Sequence, residues 1–233
     1  MKMRLLVSRK QNGYAQMAMD EAILESIIEK QSPETIRFFD FSPPAITIGR
    51  LQNISEVNLQ RCKKEGIVIV RRLTGGRAVI HSGDFTFSFI IRKDNPVFQG
   101  NVYETYKKIS YIFLEVITSL GIPAEWKKGN NKKPGNKETA YIHKPLCFSA
   151  TTRYELTVRE RKVLGVAQYR KKNGLLVQGS MLLRKPYFDF YKLFDGYSQG
   201  DIFYLSDSTD IDFEQFSELL IKNMRKIYNI ELY

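Results

Sequence analysis

Between residues 36 and 91 the chain carries five strand-like runs, at 36–41, 45–48, 67–71, 78–80 and 85–91. The helical signal among them is one short stretch, Leu59-Gln60-Arg61-Cys62-Lys63-Lys64. Three further runs, at 154–158, 163–167 and 175–183, come after a long helix. Strands bunched this way do not alternate strictly with helices. They predict an α+β fold with a mixed, mostly antiparallel sheet and flanking helices gathered on one side. The long helix is read from Val102, Tyr106, Ile109, Phe113, Val116 and Leu120, which recur at spacings of three and four and stop at Gly121 before Pro123. A second helix spans 14–29, and a third, carrying Phe213, Phe216, Leu220, Met224 and Ile227, closes the chain. No internal repeat is present, and 233 residues suit a single domain over 1–233.

Apolar runs stay below the roughly 18 residues of a membrane helix. The basic-then-apolar start Met1-Lys2-Met3-Arg4-Leu5-Leu6-Val7 breaks at Ser8-Arg9-Lys10 without a small-residue cleavage site, so it does not read as a signal peptide. A cytoplasmic location is expected, with no membrane partner. Two cysteines, Cys62 and Cys147, are too few for a disulfide framework, and each is expected as a free thiol. The two histidines, His81 and His143, show no metal-ligand spacing, so no metal is expected, and no cofactor is expected either.

A net charge of +11 admits nucleic acid, an anionic membrane or an acidic protein as partner. Much of the excess sits in Lys127, Lys128, Lys132, Lys133 and Lys137, interleaved with Gly129, Asn130, Asn131, Pro134, Gly135 and Asn136. That composition predicts a flexible loop over about 127–138. It is either a solvated insertion or a docking element. The lysines lack the interleaved aromatics of a single-strand stacking platform, which places nucleic acid last among the partners.

The segment Arg71-Arg72-Leu73-Thr74-Gly75-Gly76-Arg77-Ala78-Val79-Ile80-His81 sets a Gly-Gly turn between two apolar runs, flanked by arginines and a histidine. On its residues alone it is either a plain hairpin or a cradle whose backbone comes close to an anionic or carbonyl-bearing ligand. Cys147, beside Lys144-Pro145-Leu146 and the polar run at 149–152, is either a small half-buried hydrophobe or a thiol whose thiolate is favoured by nearby cations. Cys62 lies in a helical stretch and reads as a bystander.

Several motifs occur in an order that resembles the lipoate-protein ligase, octanoyltransferase and biotin-protein ligase superfamily. Met17-Ala18-Met19-Asp20-Glu21-Ala22 resembles its first-helix signature, Ile48-Gly49-Arg50-Leu51-Gln52-Asn53 its first strand-turn, and Arg71 to His81 its Gly-Gly loop. Tyr154-Glu155-Leu156 and Arg161-Lys162-Val163-Leu164-Gly165-Val166-Ala167-Gln168 are similar to the strand pair bearing the family lysine. The resemblance runs from about 14 to 185. Two glycines rather than three in the loop, and Cys147-Phe148 seven residues before Tyr154, point to the cysteine-dependent octanoyltransferases. The end of the chain at Tyr233 fits the absence of an accessory ligase domain.

The resemblance implies the biotin/lipoate ligase fold and transfer of octanoyl from octanoyl-acyl carrier protein to Cys147. The acyl group then passes to a lysine of a lipoyl domain, on a glycine cleavage H protein or a 2-oxoacid dehydrogenase E2. It implies Cys147 and Lys162 as catalytic residues and Arg72, Gly75, Gly76, Arg77, His81, Gly165 and Ala167 as substrate-binding ones. His81 is expected to orient Arg72 or the acyl chain. By local sequence alone, Lys162 in Arg159-Glu160-Arg161-Lys162 is one more exposed lysine. An ATP-dependent lipoate ligase and an octanoyl amidotransferase between lipoyl domains are the alternatives. A basic nucleic-acid-binding module is the third reading. This chain departs from the pattern at Val166, where serine is common, and at Gln178, where histidine is frequent. Ser82-Gly83 stands where an aspartate usually follows the histidine. His143 has no counterpart in the pattern.

Overall fold

The structure, a computed structural model, describes residues 1–128, 154–194 and 202–233. In chain order the elements are β1 (Lys2–Gln11), α1 (Gly13–Ile28), β2 (Thr35–Phe41), β3 (Ala45–Ile48), α2 (Leu59–Lys64), β4 (Val68–Arg71), β5 (Val79–His81) and β6 (Phe85–Arg92). There follow α3 (Val102–Ser119), β7 (Ala124–Lys128), β8 (Tyr154–Val158), β9 (Arg161–Lys162), β10 (Leu164–Lys171), β11 (Gly174–Met181), α4 (Phe213–Tyr228) and β12 (Glu231–Leu232). Six strands form the main sheet in the order β10-β11-β6-β2-β1-β12, and two three-stranded sheets have the orders β4-β3-β5 and β7-β8-β9. The main sheet is antiparallel from β10 to β2, and the pairs β2·β1 and β1·β12 are parallel.

Alternation along β6 sorts the two faces of this sheet. Phe85, Phe87, Phe89 and Ile91 point into the main core with Ile36 and Phe38 of β2 and Leu175 and Val177 of β11. The apolar faces of α3 (Ile109, Phe113, Val116) and α4 (Phe216, Leu220, Met224) close that core. On the opposite face Ile90 and Leu176 meet Ile23, Leu24 and Ile27 of α1. The helices therefore cover both faces, which corrects the expectation of helices on one side. The reason is period 2: β2, β6 and β11 carry buried side chains on both faces, so each face needs a cover. Backbone ends are met locally. Asn12 caps α1 through its side chain and the Ala15 N–H, and α3 and α4 begin with reciprocal capping boxes, Asn101 with Glu104 and Asp212 with Gln215.

The structure decides two further points. Val68–Arg71 and Val79–His81 do not pair with each other: β3 lies between them, parallel to β4 and antiparallel to β5. The Gly-Gly segment is thus no hairpin but a bridge over the C-terminal end of β3. Lys127 and Lys128, counted in the Lys-rich loop expected over about 127–138, are instead the last residues of β7, registered with Glu155 and Tyr154 of β8. Lys127 also forms an ion pair with Glu160. The rest of that stretch lies outside the described residues.

Candidate active site

The bridge is built from glycine and arginine. Gly49 follows β3, and a Cβ there would stand 1.9 Å from the Gly76 carbonyl oxygen, so only glycine lets the two segments touch. Gly76 itself sits at φ +89°, open to glycine at little cost. Arg72 is buried beneath and donates to the carbonyls of Thr47 (2.8 Å), Gly75 (2.7 Å) and Arg77 (2.8 Å). Arg71 donates to the carbonyls of Gly49, Arg50 and Gln52 at 2.7, 3.1 and 2.8 Å. Two guanidinium forks thus satisfy carbonyls that a tight, irregular backbone leaves unpaired.

Beside the bridge is a cavity of about 240 Å³, lined mostly by apolar surface. Its walls include Arg72, Gly76, Arg77, His81, Lys162, Gly165 and Ala167, all expected at the site from sequence. Gly75 is not part of the lining; it contributes the carbonyl that Arg72 grips. Cys147 and His143 lie outside the described residues. Cys62, the expected bystander, is buried under β3 and β5, and burial pushes its thiol up to about 11, where it is inert.

Lys162 is not a surface lysine. Its side chain is 8% exposed, and Nζ lies 2.8 Å from Oε1 of the buried Glu155 one strand away. The ammonium therefore faces the cavity with its charge partly balanced, a suitable arrangement for polarising a carbonyl. Tyr106 of α3 stands in the same wall, its hydroxyl pushed up to about 12, first by burial and then by Glu155, against the opposing effect of Lys162. It stays a neutral phenol throughout the physiological range.

His81 is linked to Arg72 through Thr47. Its Nε2 lies 2.9 Å from the Thr47 hydroxyl, which accepts from Arg72 at 3.1 Å, and its Nδ1 lies 2.7 Å from Asp84 Oδ2. The ring also stacks on Phe41 at 4.1 Å. Asp84, three residues after the histidine, supplies the carboxylate that Ser82-Gly83 does not. Burial acts to raise its pKa, but the His81 ring and hydrogen bonds from His81, Ser180 and Thr86 outweigh it and hold the carboxyl below its ordinary 3.8. The folded state therefore binds this proton less readily than the unfolded chain. The resulting stability is complete above about pH 4 and disappears as the pH falls through the lower folded value. Asp84→Asn is expected to flatten the acid limb of the stability–pH curve below about pH 4; an unchanged limb in urea titrations would exclude this role for Asp84.

Asp84, Thr47, Thr86 and Ser180 were not singled out by sequence reasoning, and Glu155 and Asp20 entered only as motif letters. The only available signal was alternation: Thr86 and Ser88, and Gln178 and Ser180, are polar positions on strands otherwise apolar enough to be fully buried.

Residues 12–225 match the family model of the lipoyl protein ligase A/B catalytic domain. The chain belongs to this family. Octanoyltransferase LipM of Moorella thermoacetica is 38% identical over 181 residues, covering 77% of this chain and 64% of the relative. LipM of Anoxybacillus flavithermus is 40% identical over 171 residues, 72% of this chain and 60% of the relative. The match thus spans less than two thirds of the length of these curated relatives. Among solved structures, the bipartite lipoate protein ligase of Thermoplasma acidophilum has a TM-score of 0.72 at 20% identity, covering 100% of this chain and 86% of that one. LipL1 of P. falciparum, solved with lipoate, also has a TM-score of 0.72 at 20% identity, covering 98% and 61%. At that identity the likeness concerns the fold, and it agrees with the biotin/lipoate ligase architecture expected of this family.

Proposed function

We propose that the chain is an octanoyltransferase that works through an acyl-Cys147 thioester. The observation that carries this reading is Lys162, buried against Glu155 in the wall of a largely apolar cavity, in a chain 38% identical to an octanoyltransferase. The Cys147 thiolate attacks the thioester carbonyl of octanoyl-acyl carrier protein; the C–S bond to the carrier breaks and the carrier thiolate takes a proton. A lysine amine of a lipoyl domain then attacks octanoyl-Cys147, forming the amide, releasing the thiolate and giving up a proton. Lys162 polarises the acyl carbonyl in both steps, and the Gly76 segment lies along the acyl chain. A thioester-to-amide step runs downhill, so no ATP enters.

The test is the intact mass of the protein after incubation with octanoyl-acyl carrier protein without ATP. One hydroxylamine-labile octanoyl group is expected. No adduct, with transfer seen only when lipoate and ATP are supplied, would make it a ligase. Transfer seen only from an octanoylated lipoyl domain would make it an amidotransferase.

Charge sets the encounter. With a net charge of +11, and with the Arg77 guanidinium at the cavity without a partner among the described residues, acidic carrier and acceptor proteins are steered toward the site. The value of kcat/KM for the carrier substrate is expected to fall about tenfold between roughly 20 mM and 500 mM salt, with kcat little changed. A flat salt profile would exclude steering.

A further inference from the structure

One row of residues crosses the face of the main sheet that α1 covers. Arg37 of β2, Ser88 of β6, Gln178 of β11 and Ala167 of β10 are successive partners in the register. Asp20 of α1 sits over the row and takes a hydrogen bond from each of the first three. Arg37 Nη1 and Ser88 Oγ (2.8 Å) donate to Oδ1, and Gln178 Nε2 donates to Oδ2 at 2.6 Å. Asp20 is 1% exposed and Arg37 fully buried. A carboxylate cannot donate, so the Gln178 amide must turn its NH₂ toward Asp20 and its oxygen the other way. That oxygen accepts from the Thr74 hydroxyl at 2.7 Å. Thr74 is fully buried, immediately precedes Gly75-Gly76, and its carbonyl accepts from the Arg50 N–H at 2.9 Å.

We infer that Gln178 is a positioning residue: it carries the fixed orientation of the buried Asp20–Arg37 pair to Thr74 and so sets the glycine bridge that lines the cavity. The argument is geometric. Gln178 is itself a wall residue of the cavity, and its two ends connect the deepest ion pair to the segment whose exact placement defines that wall. The amide also has a consequence that an imidazole at this position would lack. A glutamine donates to Asp20 and accepts from Thr74 at every pH. A neutral imidazole can do the same, but an imidazolium carries protons on both nitrogens and cannot accept from the Thr74 hydroxyl. The charged or titratable groups around Gln178 are Asp20 on α1, with Arg37 beyond it, and Arg72, Arg77, His81, Tyr106 and Lys162 in the cavity walls. Among these, Asp20 alone bonds the amide directly, so in this chain no proton uptake at position 178 disturbs the bridge.

The test uses T74V, which removes the hydroxyl while keeping the shape, together with Q178A, the double variant and Q178H. The primary readout is hydrogen exchange at the Arg50 amide, which reports its bond to the Thr74 carbonyl and needs no substrate. Exchange there is expected to rise about tenfold in each single variant and no further in the double, with α3 and α4 amides unchanged. In Q178H the protection factor of this amide should match the native one at pH 8 and fall as the pH drops through about 6.5, whereas the native protection factor stays constant. Unchanged Arg50 exchange, additive effects, or a Q178H profile parallel to the native one would overturn the inference. A second arm rests on the acyl-transfer reading: kcat for octanoyl transfer should drop in T74V about as far as in Q178A, with KM for the carrier little moved. A native protein that transfers nothing would defeat that reading and leave the exchange arm to decide the role of Gln178.

Discussion

Replacing Cys147 with serine is expected to abolish octanoyl transfer, by about 10³-fold or more, and to leave no labile adduct in the mass spectrum. The size of the effect follows from the nucleophile. A cysteine with a pKa near its ordinary value is a few per cent thiolate at pH 7, and the thiolate is an intrinsically strong nucleophile. A serine hydroxyl offers essentially no alkoxide at that pH unless a base sits beside it. Exchange of one thioester for another is also nearly balanced, so octanoyl can leave Cys147 again for the acceptor amine. An oxygen ester on the substituted hydroxyl would hold the acyl group more firmly. Folding should be unaffected by so small a change, and the melting temperature serves as the control. A Cys147→Ser protein that still transferred octanoyl at native rates would leave the acyl-enzyme scheme without its nucleophile.

Lys162→Met should cost activity and stability together, and the two costs can be separated. The side chains of Lys162 and Glu155 are 8% and 2% exposed, so removing the ammonium leaves a buried carboxylate deprived of its nearest counter-charge. Breaking one side of such a pair typically costs about 3–5 kcal/mol. Loss of a carbonyl-polarising cation in a water-poor site costs about 10²–10³-fold in kcat. The double variant Lys162→Met, Glu155→Gln removes the stranded charge, so it should regain most of the stability while remaining slow. If the double variant regained activity as well, Lys162 would be a fold-supporting residue with no part in the chemistry. Denaturant melts and single-turnover transfer measured on the same preparations decide between these outcomes.

Much of the fold was readable because periodicity is local. The face Tyr106, Ile109, Phe113, Val116 declares α3, and the structure places it within a residue or two of the expected span. The unread strands have physical excuses. The residues of β1 other than Met3 are half-exposed or exposed and include Arg4, Arg9 and Lys10, so their pattern lacks clean alternation. The end of β7 is two lysines, and β9 and β12 are only two residues long each. The glycine bridge was readable as a motif but not as a topology: nothing in the residues of β4 or β5 announces that β3 inserts between them. The polar row was equally hidden, because Arg37, Ser88 and Gln178 are aligned only by sheet register and Asp20 reaches them from α1. The cavity residues that sequence did identify, Lys162, Gly165 and Ala167 among them, came through motif order, since an isolated lysine beside arginines carries no mark of burial.

The insertion of β3 beneath the Gly75-Gly76 segment has a mechanical meaning. A hairpin loop swings on one hinge, because both its ends leave the same ladder side by side. This segment is an arch with separate piers, β4 on one flank of β3 and β5 on the other, and its underside is propped by Gly49. Lifting the crown would require spreading the piers, and therefore tearing strand pairs on both flanks of the middle strand. On this side the cavity is therefore walled by a span pinned at both ends, so a group that enters beside it meets a surface whose place is fixed by strand pairing on two flanks.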